Sequence, residues 1–232
     1  MLAWRNLVHD KVRFAVTVTG IVFAVVLIVV ELGLFVGFTT TTSSLIDRSG
    51  ADLWVTGARV PYIEQSVPFT ERKLATVIAT PGVAAASKYI ARFTEWQRPD
   101  GRRESVQIVG IDLQSGLGAP WDLVAGTIDD LRRPDAVFVD EIYREKLGVD
   151  RIGQVVEIRG RRARIAGFTR GIRAFTTSPY VFTTFKNALD YANLGEDQTL
   201  FLLVKAKPGV NVEELRKTLA ARLSDVEVVT ND

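Results

Sequence analysis

The chain has 232 residues, 47% of them apolar, with 29 Lys plus Arg, 27 Asp plus Glu, one histidine and no cysteine. That length allows one or two domains with a real hydrophobic core. The absence of cysteine excludes disulfides, thiolate metal sites and thiol nucleophiles. The near-neutral charge argues against nucleic acid as a partner, because its binders carry a basic excess. Residues 1–38 hold Arg5, Lys11 and Arg13 against Asp10 and Glu31, which leaves 26 basic and 25 acidic side chains for the rest. His9 stands ahead of a long apolar run, so histidine-dependent hydrolysis and His-rich metal binding are excluded for everything beyond that run.

Residues 1–13, MLAWRNLVHDKVR, bring Trp4, Leu7, Val8 and Val12 onto one helical stripe. This is either a short amphipathic helix at the cytoplasmic face of a membrane or the first turns of the helix that follows. In residues 14–38, nineteen of 25 side chains are apolar. As a helix that segment would be about 37 Å long, enough to cross a hydrocarbon core of about 30 Å. Arg5, Lys11 and Arg13 precede it, and no charge follows before Asp47. The positive-inside rule therefore predicts a cytoplasmic N-terminus and an extracytoplasmic bulk. GFTTTTSS carries no small-x-small cleavage signal, so an uncleaved anchor is expected.

Glu31, Gly33 and Gly37 are the residues of this segment that lipid does not reward. The glycines let another helix approach, and an intramembrane acid faces protein or water. They lie about 200° to 240° around the helix from Glu31, so two sides of it read as packing surfaces; the alternative is that Glu31 snorkels to the outer interface and the glycines are incidental.

TTTTSSLIDRSG reads as a helical extension ending near Gly50, and ADLWVTG as a strand with Leu53 and Val55 on one face. TERKLATVIATPGV predicts a helix with Thr70 as N-cap, Leu74, Val77 and Ile78 on one side, and Pro81-Gly82 as the stop. VAAASKYIARFTEWQ and ESVQIVGID form a hairpin around Arg98–Arg102. A strand is expected at Ala136–Val139, then a short helix ending near Gly148. A second hairpin, VVEIR with ARIAGF, turns at Gly160-Arg161-Arg162.

The last portion reads as strand 180–183, helix 184–192, strand 200–205, helix 212–223 and strand 226–229. The strings 52–96 and 200–229 are both β-α-β and predict a split β-α-β sheet with its helices on one face. The fold class is thus α+β: a transmembrane helix at 14–38, then a mixed α/β domain over 39–232. In that domain 51–97 and 179–232 make the split part, and 98–178 a mainly β insertion.

Chemistry is hard to find. Asp129-Asp130 and Asp140-Glu141 are adjacent acids, which diverge in strand or helix and read as solvated or capping groups. Arg159, Arg161, Arg162 and Arg164 cluster at a hairpin tip, where they could hold an acidic partner or lipid headgroups, or be a solvated turn. Trp54, Trp96 and Trp121 read as core before groove. No G-x-G-x-x-G stands between strand and helix, and no GxxxxGK[ST] occurs. Neither a catalytic residue nor a bound cofactor or metal is expected.

In order and spacing, AWRNLVHDKVRF, TGIVFAVVLIVVELGLF, ADLWVTG, the PGV after the first outer helix, VGID and VFVDEIYREKLGVDRIGQVVEIRGRRARIAGF resemble the permease subunits of MacB-like ABC transporters, the DevC type most. The resemblance implies a membrane permease component in the bacterial inner membrane. Its large periplasmic domain is moved by ATP-driven closure of membrane helices, a mechanism called mechanotransmission. The implied partners are a separate ABC ATPase subunit, a second protomer or the remaining permease helices, a periplasmic membrane-fusion adaptor and the lipid bilayer. Members of the family continue into three more membrane helices. VEVVTND ends where the next should approach, so a fragment, a truncation or a split permease is expected. Glu31, Gly33 and Gly37 would then face the other helices or a second protomer. The alternative is a stand-alone, membrane-anchored periplasmic binding or adaptor module with no ATPase partner.

Overall fold

A computed structural model of the chain describes residues 11–58, 66–174 and 178–231, with the backbone alone at 38–43. The amphipathic stripe and His9, expected at 1–10, lie outside the described residues. The chain divides into two compact units, 1–43 and 44–232.

The first unit carries most of helix α1 (Lys11–Asp47), 37 residues long. From Lys11 to Gly37 it is long and apolar enough to cross a membrane, and none of its most apolar stretch is buried. Apolar side chains lie on every side of it. In water such a surface has no partner, but in lipid a helix that closes all its own backbone hydrogen bonds is the favoured state. Thr17 adds a bond of its own, its hydroxyl donating to the Arg13 carbonyl at 2.8 Å.

The second unit follows in the order β1 (Leu53–Gly57), β2 (Phe69–Thr70), α2 (Lys73–Ile78), β3 (Val83–Gln97), β4 (Arg103–Ile111) and β5 (Leu123–Ala125). Next come a 3₁₀ turn (Ile128–Arg132), β6 (Ala136–Asp140), a second 3₁₀ turn (Glu141–Tyr143), α3 (Arg144–Leu147), β7 (Val155–Ile158) and β8 (Arg161–Thr169). Then come β9 (Tyr180–Thr184), α4 (Phe185–Ala192), β10 (Gln198–Thr199), β11 (Phe201–Ala206), α5 (Val212–Arg222) and β12 (Val226–Thr230).

Strands β12-β1-β11-β3 lie side by side, all antiparallel. This is the split β-α-β arrangement expected from the repeated string, because β11 separates β1 from β3 and β1 separates β11 from β12. Alternation along each strand feeds two cores. Leu53, Val55, Leu202 and Val204 meet Val77 of α2 and Leu215, Leu219 and Leu223 at α5, so both helices cover one face. Trp54, Phe201 and Leu203 point into the larger core on the other side.

The fifteen-residue β3 joins this quartet to the rest. Its first half pairs with β11 and its second half with β4. Beyond β4 the sheet continues through β9, β6, β8 and β5, and β7 pairs with both β3 and β8. Strand β9 runs parallel to β4 and antiparallel to β6.

Three local expectations are corrected. Thr70 is not an N-cap: it pairs with Gln198 in a two-stranded ribbon, and α2 starts at Lys73 with no side-chain cap. Ile78 is exposed, because in a helix of six residues it lies 100° round from the buried Val77. The second hairpin turns at Arg159-Gly160, both at positive φ (50° and 71°), as a two-residue turn with right-handed strand twist requires. Arg161 and Arg162 already belong to β8. The short strands β5 and β10 were not expected from the sequence.

Candidate functional site

The foot of α1 is built into the second unit. Leu45 is buried there, and Ile46 packs against the same large core. Ser49 closes the helix: its N–H and its hydroxyl both donate to the Ile46 carbonyl, at 3.0 and 2.6 Å, and the hydroxyl accepts from the Ala51 N–H at 3.2 Å. The Ser49 carbonyl in turn accepts the Gly118 N–H at 2.8 Å, which ties the helix end to the segment after β4. Only glycine suits position 118. Its φ is +71°, and a Cβ there would stand 2.5 Å from Cε2 of Tyr89. The Arg48 guanidinium lies 5.2 Å over the Trp121 ring and 3.7 Å from the Asp122 carboxylate.

Trp54, Tyr89 and Phe201 pack edge to face in the same core, with centroids 5.3 to 6.3 Å apart. Trp54 Nε1 and the Tyr89 hydroxyl are buried without a hydrogen-bond partner among the described residues. Burial, with a smaller contribution from Tyr180, pushes the Tyr89 phenol well above its usual range. It stays neutral and packs as an aromatic side chain.

Glu31, Gly33 and Gly37 all lie on α1 and all are exposed. A Cβ added at Gly20, Gly33 or Gly37 would meet no atom within 4 Å. The helix does not gather the three onto one face: the glycines sit on one side and the acid on another.

The other candidates resolve into structural contacts. Asp130 accepts from the N–H and hydroxyl of Thr127, at 2.8 and 2.9 Å, in a capping box, and Asp129 pairs with Arg132 at 2.9 Å. Those bonds from Thr127 hold the Asp130 carboxyl below its usual range. Asp140 also caps a turn, through the Ile142 N–H at 3.1 Å, but it is buried and takes two further bonds. These come from the Thr169 hydroxyl at 3.0 Å and the Ile172 N–H at 2.7 Å. Its neighbour Glu141 turns outward to Arg170, whose hydrogen bond lowers the Glu141 pKa. Neither acid pair converges on a common point.

At the hairpin tip, Arg162 and Arg164 share Asp135, and Arg161 lies 3.7 Å from Asp190. Trp54 and Trp96 are buried, Trp96 donating from Nε1 to the Leu147 carbonyl at 3.0 Å, and Trp121 packs edge-on to Phe182. Among the described residues no three His, Cys, Asp or Glu side chains form a metal-ligand group.

The helix foot escaped sequence reasoning. From sequence the helix simply ends near Gly50, and nothing was expected of Gly116-Leu117-Gly118. The available signal was the pair of glycines flanking one leucine, which marks backbone that must bend where a side chain is buried.

An apolar helix able to span a bilayer and a sheet-rich α+β unit on a split β-α-β core define the class: a membrane-associated chain with a folded domain beyond its helix. The chain belongs to the family described as MacB-like periplasmic core domain, whose model matches residues 14–222, helix and folded unit together. It is 29% identical over 198 residues to uncharacterized ABC transporter permeases of Mycobacterium tuberculosis, strains CDC 1551 and H37Rv, over 84% of its own length. It spans 53% of the length of those two permeases.

Two solved structures share the fold. The periplasmic region of MacB from Actinobacillus actinomycetemcomitans matches with a TM-score of 0.58 at 15% identity, over 82% of this chain and 94% of that one. The extracellular domain of the noncanonic ABC-type transporter YknZ from Gram-positive bacteria matches at 0.55 and 14%, over 78% and 99%. Family and apolar helix together place the chain at a membrane.

Proposed function

We propose that this chain serves, without catalysis of its own, as the anchor and outer domain of an ABC-type exporter permease. In this reading α1 crosses the inner membrane with its N-terminus in the cytoplasm, as the flanking Arg13 and Lys11 favour. A separate ABC ATPase drives closure of the membrane helices. Motion of α1 is passed to the periplasmic unit, and that unit engages a membrane-fusion adaptor. Gly33, Gly37 and Glu31 meet the remaining permease helices or a second protomer inside the bilayer.

The observation that carries the reading is the helix foot. The last turn of α1 holds the buried Leu45, and Ser49, two residues past the helix end, is hydrogen-bonded back to it. A flexible, Gly/Ser-rich linker would absorb a displacement of the helix, whereas helical backbone that runs to a foot packed at Leu45 and tied through Ser49 and Gly118 supports its transmission. The family match over 14–222 supports the same conclusion, since it includes helix and folded unit alike.

The test is co-expression with the neighbouring reading frames, followed by purification in mild detergent. A P-loop ATPase and a multi-helix membrane protein are expected in the purified complex, and Gly33→Leu with Gly37→Leu should deplete both while the folded unit melts unchanged. A lone monomer that is clipped past Phe38 and active by itself would overturn the reading.

A further inference from the structure

Where β4 and β9 run parallel, their carboxyl ends open into a groove of about 750 Å³. Thr184, the last residue of β9, and the first turn of α4 form one side of it. Four cations line the groove, Lys88, Arg132, Arg133 and Lys186, against a single carboxylate, Asp112. That carboxylate is partly engaged, since its Oδ1 accepts the Gln114 N–H at 3.0 Å.

Three of the cations also hold acids that do not line the groove. Lys88 pairs with Glu71 at 2.7 Å, Arg132 with Asp129 at 2.9 Å and Arg133 with Asp130 at 3.1 Å. Each pair leaves donors over, because a guanidinium carries five N–H groups and an ammonium three. Lys186 makes no ion pair among the described residues. Thr184 caps α4 by accepting the Asn187 N–H at 3.3 Å, and the two N–H groups before it have no partner within the helix ladder.

Ligands of α/β sheets settle beyond the carboxyl ends of parallel strands, and a helix N-terminus beside Arg and Lys side chains favours oxyanions. We propose that this groove binds a small phosphoryl oxyanion, presented either by the head group of an anionic phospholipid or by a free phosphate ester. The volume falls in the range of small-molecule sites, about 300–1,000 Å³, which suits one head group better than an extended acidic peptide. The inference stands on the groove alone and does not require the transport reading.

The test is amine labelling of the full chain, followed by mass spectrometry, with Lys217 on α5 as an exposed reference. In zwitterionic nanodiscs the probes are inorganic phosphate and glycerol 3-phosphate; in a second set the discs contain phosphatidylglycerol. Saturable protection of Lys186 relative to Lys217 is expected in at least one set, and which set shows it identifies the source of the phosphoryl group. Arg132→Gln with Arg133→Gln, both exposed positions, should weaken that protection about tenfold or more with no change in melting temperature. Protection unchanged in the double variant, none with any probe, or protection by hexaglutamate alone would overturn the proposal. The last result would make the groove a surface for an acidic protein.

Discussion

Between Lys11 and Gly37 the chain carries valine, leucine, isoleucine and phenylalanine around a whole helix and buries none of its most apolar stretch. From Ser44 onward residues of the same types build two buried cores. Val29 in α1 is 62% exposed, whereas Val109 in β4 is fully buried. The residues are alike; the partner differs. The folded unit supplies its own apolar surroundings and its own strand pairings, so its stability is internal. The apolar helix has no such surroundings among the described residues, so its packing partners must come from outside them. Leu45 belongs to the same helix, yet it is the first of its described side chains to be buried in the core.

The sharpest way to break that contrast is to remove a large side chain from each region and compare thermal unfolding of the full chain in detergent. Trp54→Ala opens the aromatic cluster and should cost about 3–5 kcal/mol, while Phe23→Ala in α1 should leave the melting of the folded unit unchanged. Equal losses would mean that the span is part of the same cooperative unit.

A finer comparison uses leucines on one helix. Leu45→Ala should destabilise the folded unit by about 2–4 kcal/mol, and Leu34→Ala, at a position 69% exposed, by less than about 0.5 kcal/mol. If the two behave alike, the helix foot is not anchored as described.

Glycines extend the contrast. Gly118→Ala meets the Tyr89 ring at a positive φ and should cost about 1–3 kcal/mol. Gly33→Ala meets nothing and should be neutral for the folded unit. The same melting curves decide both.

The smallest effect is electrostatic and belongs to the folded unit alone. Arg170 lowers the pKa of Glu141, and Arg216 that of Glu213, each chiefly through a side-chain hydrogen bond. A carboxyl depressed on folding contributes its stability fully above its unfolded pKa, about 4.3 for glutamate, and loses it as pH falls through the lower folded value. Melting temperature should therefore decline below about pH 4, and Arg170→Gln should flatten part of that decline. An unchanged slope would assign the acid sensitivity elsewhere.

Much of this architecture is written in short-range pattern. Pro99-Asp100-Gly101 announces the β3–β4 hairpin, Gly148 in the left-handed conformation ends α3, and apolar periodicity marks α4 and α5. The two β-α-β strings foretold the quartet because two helices on one face bury the sheet economically. Thr70 misled, because threonine caps helices and builds strands equally well, and its pairing with Gln198 lies 128 residues away. The arginine cluster near 160 looked unclaimed for a related reason: Asp135 and Asp190 reach it from other elements.

The long apolar helix near the N-terminus and the alternation of strands and helices were readable from residue order alone, since each depends on neighbours a few positions apart. Tertiary packing alone chose β4 as the parallel neighbour of β9, seated Leu45 in the core, joined Ser49 to Gly118 and brought four cations to one groove. Those contacts join segments tens of residues apart. Local propensity cannot encode them; shape complementarity and the need to pair buried polar groups select them when the chain closes.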